Sequence, residues 1–197
     1  MNWYEFASQA IDKVEELFEI KDPKDKSSRF IQYIHKNGCG DPCGDCLRND
    51  ARLFERNDPN LPKVGRENHF GCHCEYRDVP SKKVGTISQM GLNAPDVYLK
   101  AYGQLPDYYI TKQVAREQYG WNDRRNTVAG KAPGKMIGGE IYTNKQFLLP
   151  IKDGRIWYEC DVDYTSGGRS AKRLFYSNDG LMFYSDDHGT RSFYFIE

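Results

Sequence analysis

Apolar and polar positions along the chain fall into two regimes. Residues 2–19 place Trp3, Phe6, Ala10, Val14, Leu17 and Phe18 at steps of three and four, with Glu5, Asp12, Lys13, Glu15 and Glu16 elsewhere. That spacing predicts an amphipathic helix. The run Lys21-Asp22-Pro23-Lys24-Asp25-Lys26 ends it, and Arg29 to Lys36 is expected to form a second short helix. Cys39 to Arg77 is rich in Gly, Pro, Asn and Asp with little periodicity, so something other than a large core must order it. Residues 78–93 read as a linker.

From Ala94 the pattern changes. Ala94 to Tyr102 and Lys112 to Tyr119 carry helical spacing. Met136–Tyr142, Ile156–Val162, Ala171–Tyr176, Leu181–Tyr184 and Ser192–Phe195 are short, aromatic and β-branched, with turn residues such as Asp153-Gly154 and Asn178-Asp179-Gly180 between them. Helices followed by strands predict an α+β domain with an antiparallel five-stranded sheet. The expected division is therefore a small helical, Cys/His-rich module over 1–77, a linker over 78–93, and a compact domain over 94–197, with no internal repeats.

Composition narrows the function classes. No apolar run approaches the roughly 18–20 residues that span a bilayer. Met1 to Ile20 lacks a basic segment followed by an apolar one, so no classical signal peptide is expected and export would need a specialised route. The 28 basic and 28 acidic residues cancel, and both halves are balanced about Ala94. A nucleic-acid ligand would have to be held by local cations rather than by a broad positive field.

Cysteine usage is lopsided: five of the six cysteines lie between Cys39 and Cys74, and Cys160 stands apart. Cys43-Gly44-Asp45-Cys46 followed by His69-Phe70-Gly71-Cys72-His73-Cys74 supplies four thiolates, Cys43, Cys46, Cys72 and Cys74, at spacing suited to a tetrahedral structural zinc. Cys39 and His69 are rival ligands. Disulfides or plain reduced thiols are the competing readings. The ending His69-x-x-Cys72-x-Cys74 also resembles the cysteine-rich tail of phage Mu F-like minor head proteins over about 40 residues.

The C-terminal residues form a constellation. Leu105-Pro106-Asp107-Tyr108-Tyr109-Ile110-Thr111-Lys112 is followed by Gly120-Trp121, Ala132-Pro133-Gly134-Lys135, Ile137-Gly138-Gly139, Asn144, Leu149-Pro150, Gly154-Arg155, Trp157, Glu159-Cys160-Asp161, Tyr164-Thr165-Ser166-Gly167, Arg169, Arg173, Tyr176-Ser177 and Asp187-His188. In order and spacing this resembles the barnase family of guanyl-specific microbial ribonucleases of the N1/T1 type over residues 94–197. The resemblance implies Glu159 as general base, His188 as general acid, and Lys112, Arg169 and Arg173 around the scissile phosphate. It implies cleavage of single-stranded RNA to a 2′,3′-cyclic phosphate with no cofactor for catalysis. The chemistry suits the residue types: a carboxylate and an imidazole carry two proton transfers, and fixed cations stabilise a crowded phosphorane.

The chain departs from the family pattern at three places. The guanine-binding loop reads Thr143-Asn144-Lys145-Gln146, with Gln146 where a carboxylate would accept two hydrogen bonds from guanine. Gly189 stands where an aromatic follows the catalytic His, and Gly168 where one precedes Arg169. Each removes a surface for base or sugar stacking. Trp121, Trp157 and Tyr176 read as core, and Cys160, next to Glu159 on a strand, should face the opposite side as a small buried hydrophobe. In a family of RNA-cutting toxins a barstar-like acidic inhibitor is an expected partner, with action in a target cell's cytoplasm. A non-catalytic RNA-binding or phage-like packaging protein is the alternative, and a secreted scavenging ribonuclease ranks below both.

Overall fold

The computed structural model of the chain describes residues 28–36 and 44–197; the helix expected over 2–19 lies outside them. Where a second helix is expected between Arg29 and Lys36 there is a strand, β1 (Phe30–Ile34). It pairs antiparallel with β2 (Leu53–Glu55) and with β3 (Glu75–Asp78). Both faces of β1 are covered. Phe30 belongs to one buried cluster, and Ile31 and Tyr33 to another; Leu53 and Phe54 of β2 divide the same way. A strand apolar on both sides loses the alternation that marks a strand, and the run Phe-Ile-x-Tyr-Ile then fits helical steps as well.

The other elements are α1 (Gly44–Asn49), β4 (Ser81–Lys82), α2 (Pro95–Tyr102), β5 (Tyr109–Ile110), α3 (Lys112–Tyr119), α4 (Val128–Lys131), β6 (Met136–Tyr142), β7 (Trp157–Asp161), β8 (Arg173–Ser177), β9 (Met182–Ser185) and β10 (Tyr194–Ile196). The second sheet has the order β4-β10-β9-β8-β7-β6-β5. The five strands expected in the C-terminal part are all there, but among the described residues the sheet has seven. β5 pairs parallel with β6, and β4 parallel with β10, so it is not purely antiparallel. Two-residue strands are too short to carry a periodic signal. The stretch read as a linker contributes β4 and the buried Val79, Val84 and Ile87.

The chain forms two compact units. Among described residues the first comprises 83–139 and 160–170. Its core gathers Ala115, Trp121, Val128, Ala132, Met136, Ile137 and Tyr164. The Thr111 hydroxyl caps α3 by accepting from the Val114 amide. Gly138 is required in β6, because a Cβ there would lie 2.5 Å from the Tyr109 ring and 2.6 Å from the Cys160 Cβ.

Among described residues the second unit comprises 28–36, 44–82, 140–159 and 171–197. Strand alternation puts Trp157 and Glu159 on one face of β7, Arg173 and Phe175 on one face of β8, and Phe183 and Ser185 on one face of β9. The register Arg173↔Ser185 and Phe175↔Phe183 aligns the last two pairs. The apolar members, Trp157, Phe175 and Phe183, share a cluster with Phe30, Leu53 and Val79. Phe30 meets the Phe183 ring edge-on at 4.9 Å. The cysteine-bearing part of the chain and the second half of the sheet therefore bury one core in common.

Arg155, its side chain 3% exposed, adds an electrostatic tie: it meets Asp179 at 2.8 Å, Glu55 of β2 at 3.6 Å, and the Pro150 carbonyl at 3.1 Å. Its hydrogen bonds hold the Asp179 carboxyl down to about 2. A carboxyl depressed on folding stabilises the fold above its unfolded value and loses that contribution as pH falls through the folded one. Asp179→Asn is expected to cost about 1–2 kcal/mol near pH 7 in denaturant unfolding, with the deficit shrinking from about pH 4 and almost gone at about pH 2.

Candidate active site

Glu159 lies at the centre of β7, half-buried. Burial, and then the charge of Glu159, raise the Tyr142 hydroxyl above its ordinary range, so the carboxylate is felt on the neighbouring strand. Arg173 opens β8, 6% exposed, with Nη1 donating to the Lys172 carbonyl at 2.7 Å. His188 sits in the turn after β9. It has φ 63°, and its amide donates to the Ala171 carbonyl at 2.9 Å. That bond and the opposition of Arg173 to Ser185 put Arg173 and the His188 turn at one corner of the second unit.

Asp187 builds this turn. It accepts from the amides of Thr190, Arg191 and Ser192 and from the hydroxyls of Ser185 and Thr190. Burial works to raise its pKa, but these bonds outweigh it and hold the carboxyl well below the usual range. Gly189 is explained here: at φ 73°, a Cβ would lie 2.5 Å from the Phe175 ring. The aromatic absent at 189 has no room, because Phe175 occupies the place where it would attach.

Lys112 and Arg169 belong to the first unit. Lys112 is the first residue of α3. Arg169 donates from Nε and Nη2 to both oxygens of Asp161, at 2.7 Å each. Asp161 is 1% exposed, so the pair is a fork on a buried carboxylate. Sequence reading gave Asp161 no role, although two residues from Glu159 on one strand is the spacing that repeats a face. Cys160 between them is 1% exposed and packs at Gly138.

The loop after β6 is closed by its own residues. Asn144, at φ 45° and 9% exposed, donates from Nδ2 to the Leu149 carbonyl (2.9 Å) and accepts from the Leu149 amide (3.1 Å). Its amide group therefore shapes the loop, leaving Thr143, Lys145 and Gln146 exposed. A second closure comes from far away in sequence. The Leu53 amide donates to the Leu148 carbonyl at 2.7 Å, and Arg52 Nε to the Phe147 carbonyl at 3.2 Å. Nothing in the sequence pattern of 39–77 points to this contact.

Residues 93–196 match the family model described as ribonuclease. The chain belongs to the ribonuclease family. Its similarity to a ribonuclease of Heyndrickxia coagulans is 46% identity over 91 residues, 46% of this chain and 83% of that relative. Ribonucleases of Bacillus intermedius and Bacillus pumilus are 46% identical over the same length, and there the chain spans 56% of each relative. The matched region is thus an endoribonuclease domain of the barnase kind, as the C-terminal motifs imply.

In this ribonuclease the cysteine cluster precedes the matched region. Cys46, Cys72 and Cys74 are buried, with their sulfur atoms within 4.8 Å of one another. Cys43 and Cys39 lie outside the described residues. Cys46 and Cys72 sulfurs are 3.9 Å apart; a tetrahedral zinc with Zn–S near 2.3 Å holds sulfurs about 3.8 Å apart. His69 Nε2 is 3.3 Å from the Cys46 sulfur, while its Nδ1 lies 3.0 Å from the Phe70 carbonyl. A proton on Nδ1 leaves the Nε2 lone pair toward the Cys46 sulfur. Burial works to raise the Cys72 thiol, but hydrogen bonds from the Cys74 backbone, Asn68 and the adjoining thiols outweigh it and bring it to about 7. Burial pushes Cys74 up. Cys46, Cys72 and Cys74 suit three corners of a structural zinc, while the 3.3 Å contact of His69 is to the Cys46 sulfur.

Proposed function

We propose that this protein is a metal-independent endoribonuclease toxin that cuts single-stranded RNA by transphosphorylation. The observation that carries this reading is the ribonuclease match over 93–196. It includes a carboxylate on the interior strand β7 and a histidine in a hydrogen-bonded turn beside Arg173. Glu159 takes the proton from the ribose 2′-hydroxyl; the 2′-oxygen attacks phosphorus as the bond to the 5′-oxygen breaks; His188 gives that oxygen its proton. The products are a 2′,3′-cyclic phosphate and a 5′-hydroxyl. Lys112, Arg169 and Arg173 neutralise the phosphorane. Asp161 orients Arg169, so its guanidinium is presented as a fixed fork rather than a mobile charge.

Thr143, Asn144, Lys145 and Gln146 form the base-recognition loop. Asn144 contributes by shaping it, and Gln146 offers guanine one acceptor where a carboxylate offers two, which relaxes guanine preference. A barstar-like acidic inhibitor is the partner that would protect a producing cell, and a specialised export route would deliver the enzyme to a target-cell cytoplasm. A zinc bound by Cys46, Cys72 and Cys74 with Cys43 serves structure, with Cys39 and His69 as rivals for the fourth position.

Two results are expected. Labelled single-stranded RNA is cut in EDTA to cyclic-phosphate ends, and Glu159→Gln and His188→Gln each lower kcat by at least about 100-fold. Equal activity in both variants would remove them from the mechanism. Native mass spectrometry should find one zinc per chain, lost in both Cys72→Ser and Cys43→Ser and kept in His69→Ala. Zinc kept in Cys43→Ser and lost in His69→Ala would give the fourth position to His69.

A further inference from the structure

The second unit contains a cleft of about 640 Å³ that the proton transfers and the phosphorane do not use. Arg48 and Arg52, from α1 and the approach to β2, form one wall. Gln146 and Phe147 of the base-recognition loop form another, and Thr190 and Arg191, just past His188, complete it. Three guanidinium groups thus face one space, against the single carboxylate of Asp50. The cations differ in how they are held. Arg52 is fixed, with Nε on the Phe147 carbonyl, Nη1 on Asn49 at 2.7 Å, and its charge 5.0 Å from the Phe54 ring centre. Arg48 pairs with Asp45, and Arg191 with Asp50, through side chains 73% and 63% exposed. The Arg48–Asp45 pair is exposed at both ends and contributes little, so an incoming phosphate can exchange for that carboxylate. The Asp50 side chain is 17% exposed, but the guanidinium of Arg191 that meets it stays open to a phosphate.

Phe147 supplies the other half of a nucleotide's chemistry. Its ring is 54% exposed, and its backbone sits at φ 55°, a conformation costly for a bulky side chain. Such strain persists where the surroundings over-determine it and clusters at ligand sites. Here the Arg52 and Leu53 bonds to the Phe147 and Leu148 carbonyls supply that constraint. An exposed aromatic beside exchangeable guanidinium groups is the combination that binds single-stranded RNA, base on ring and phosphate on cation.

We propose that this cleft is an additional RNA subsite, built jointly by the cysteine module and the recognition loop, that takes a nucleotide outside the pair flanking the scissile bond. Phe147 stacks its base, Arg48 and Arg191 hold its phosphate, and Arg52 positions Phe147. The proposal rests on the reading of 143–146 as the substrate loop.

The test is fluorescence-anisotropy binding of the full chain to a hexanucleotide and to its central dinucleotide, each with a single 2′-deoxy sugar at the cut so that neither is cleaved. The wild type should bind the hexamer more tightly than the dimer. Both the Arg48→Gln/Arg191→Gln double variant and Phe147→Ala should lose about tenfold of that advantage. In the double variant the slope of log affinity against log salt should also flatten by about 0.7 for each phosphate no longer held. Lys63→Gln, an exposed cation elsewhere on the module, should lose none. An unchanged hexamer advantage in the variants, an equal loss in Lys63→Gln, or no hexamer advantage in the wild type would overturn the subsite. So would variants that lose affinity only for an acidic protein inhibitor, which would make the cleft a protein-binding surface. Failure of the catalytic reading looks different: the all-ribose hexamer would be bound with the same advantage and left uncut.

Discussion

The face of the sheet that carries Glu159 and Arg173 is continuous with a buried apolar face, and the structure depends on what covers it. Glu159 and Trp157 are two residues apart on one strand, and Arg173 and Phe175 two apart on the next, so each pair must share a side. Glu159 is half-buried and Arg173 is 6% exposed, while the aromatic members are buried. Phe30, Leu53 and Val79 cover them, in one cluster with Trp157, Phe175 and Phe183. Truncating a fully buried leucine or phenylalanine in such a core typically costs about 2–5 kcal/mol, a large part of a domain's stability. The module ahead of the ribonuclease match is therefore part of the same folded body as the strands carrying Glu159, Arg173 and the His188 turn.

The same packing reaches the site. β1 and β2 separate two cores, one against the sheet and one around Cys46, Cys72 and Cys74. β2 then extends its hydrogen bonding beyond its own sheet, to the Leu148 carbonyl, with Arg52 on Phe147. A metal clamped by Cys46, Cys72 and Cys74 would fix the corner from which Arg52 and Leu53 reach the loop after β6. Under the proposed mechanism the module would act on substrate choice through geometry, while proton transfer would stay with Glu159 and His188.

Much of this is legible in the sequence where one periodic signal dominates. α3 and β6 fall on the residues that spacing assigns them, and the ribonuclease motifs point to the family without any knowledge of the fold. β1 reads as a helix because its two faces are both apolar, and β4 and β5 escape because two residues show no period. At Gly189 the sequence shows only that an aromatic is missing; the reason, a Phe175 ring against its Cα, lies fourteen residues away. Asp161 and Asp187 have no sequence signal because a carboxylate that orients an arginine or a turn looks like any surface acid. The Leu53–Leu148 bond joins residues whose separation no local pattern encodes.

The most direct measurement of this shared fold is native-state hydrogen exchange on the full chain, resolved at the amides of Leu53, Val79, Phe175 and Phe183. If the module and the sheet form one cooperative body, all four open with the same free energy and fall together as denaturant is raised. Exchange of Leu53 and Val79 through a separate, lower-energy opening, with Phe175 and Phe183 still protected, would show that the module is only tethered to the ribonuclease and would contradict a common core.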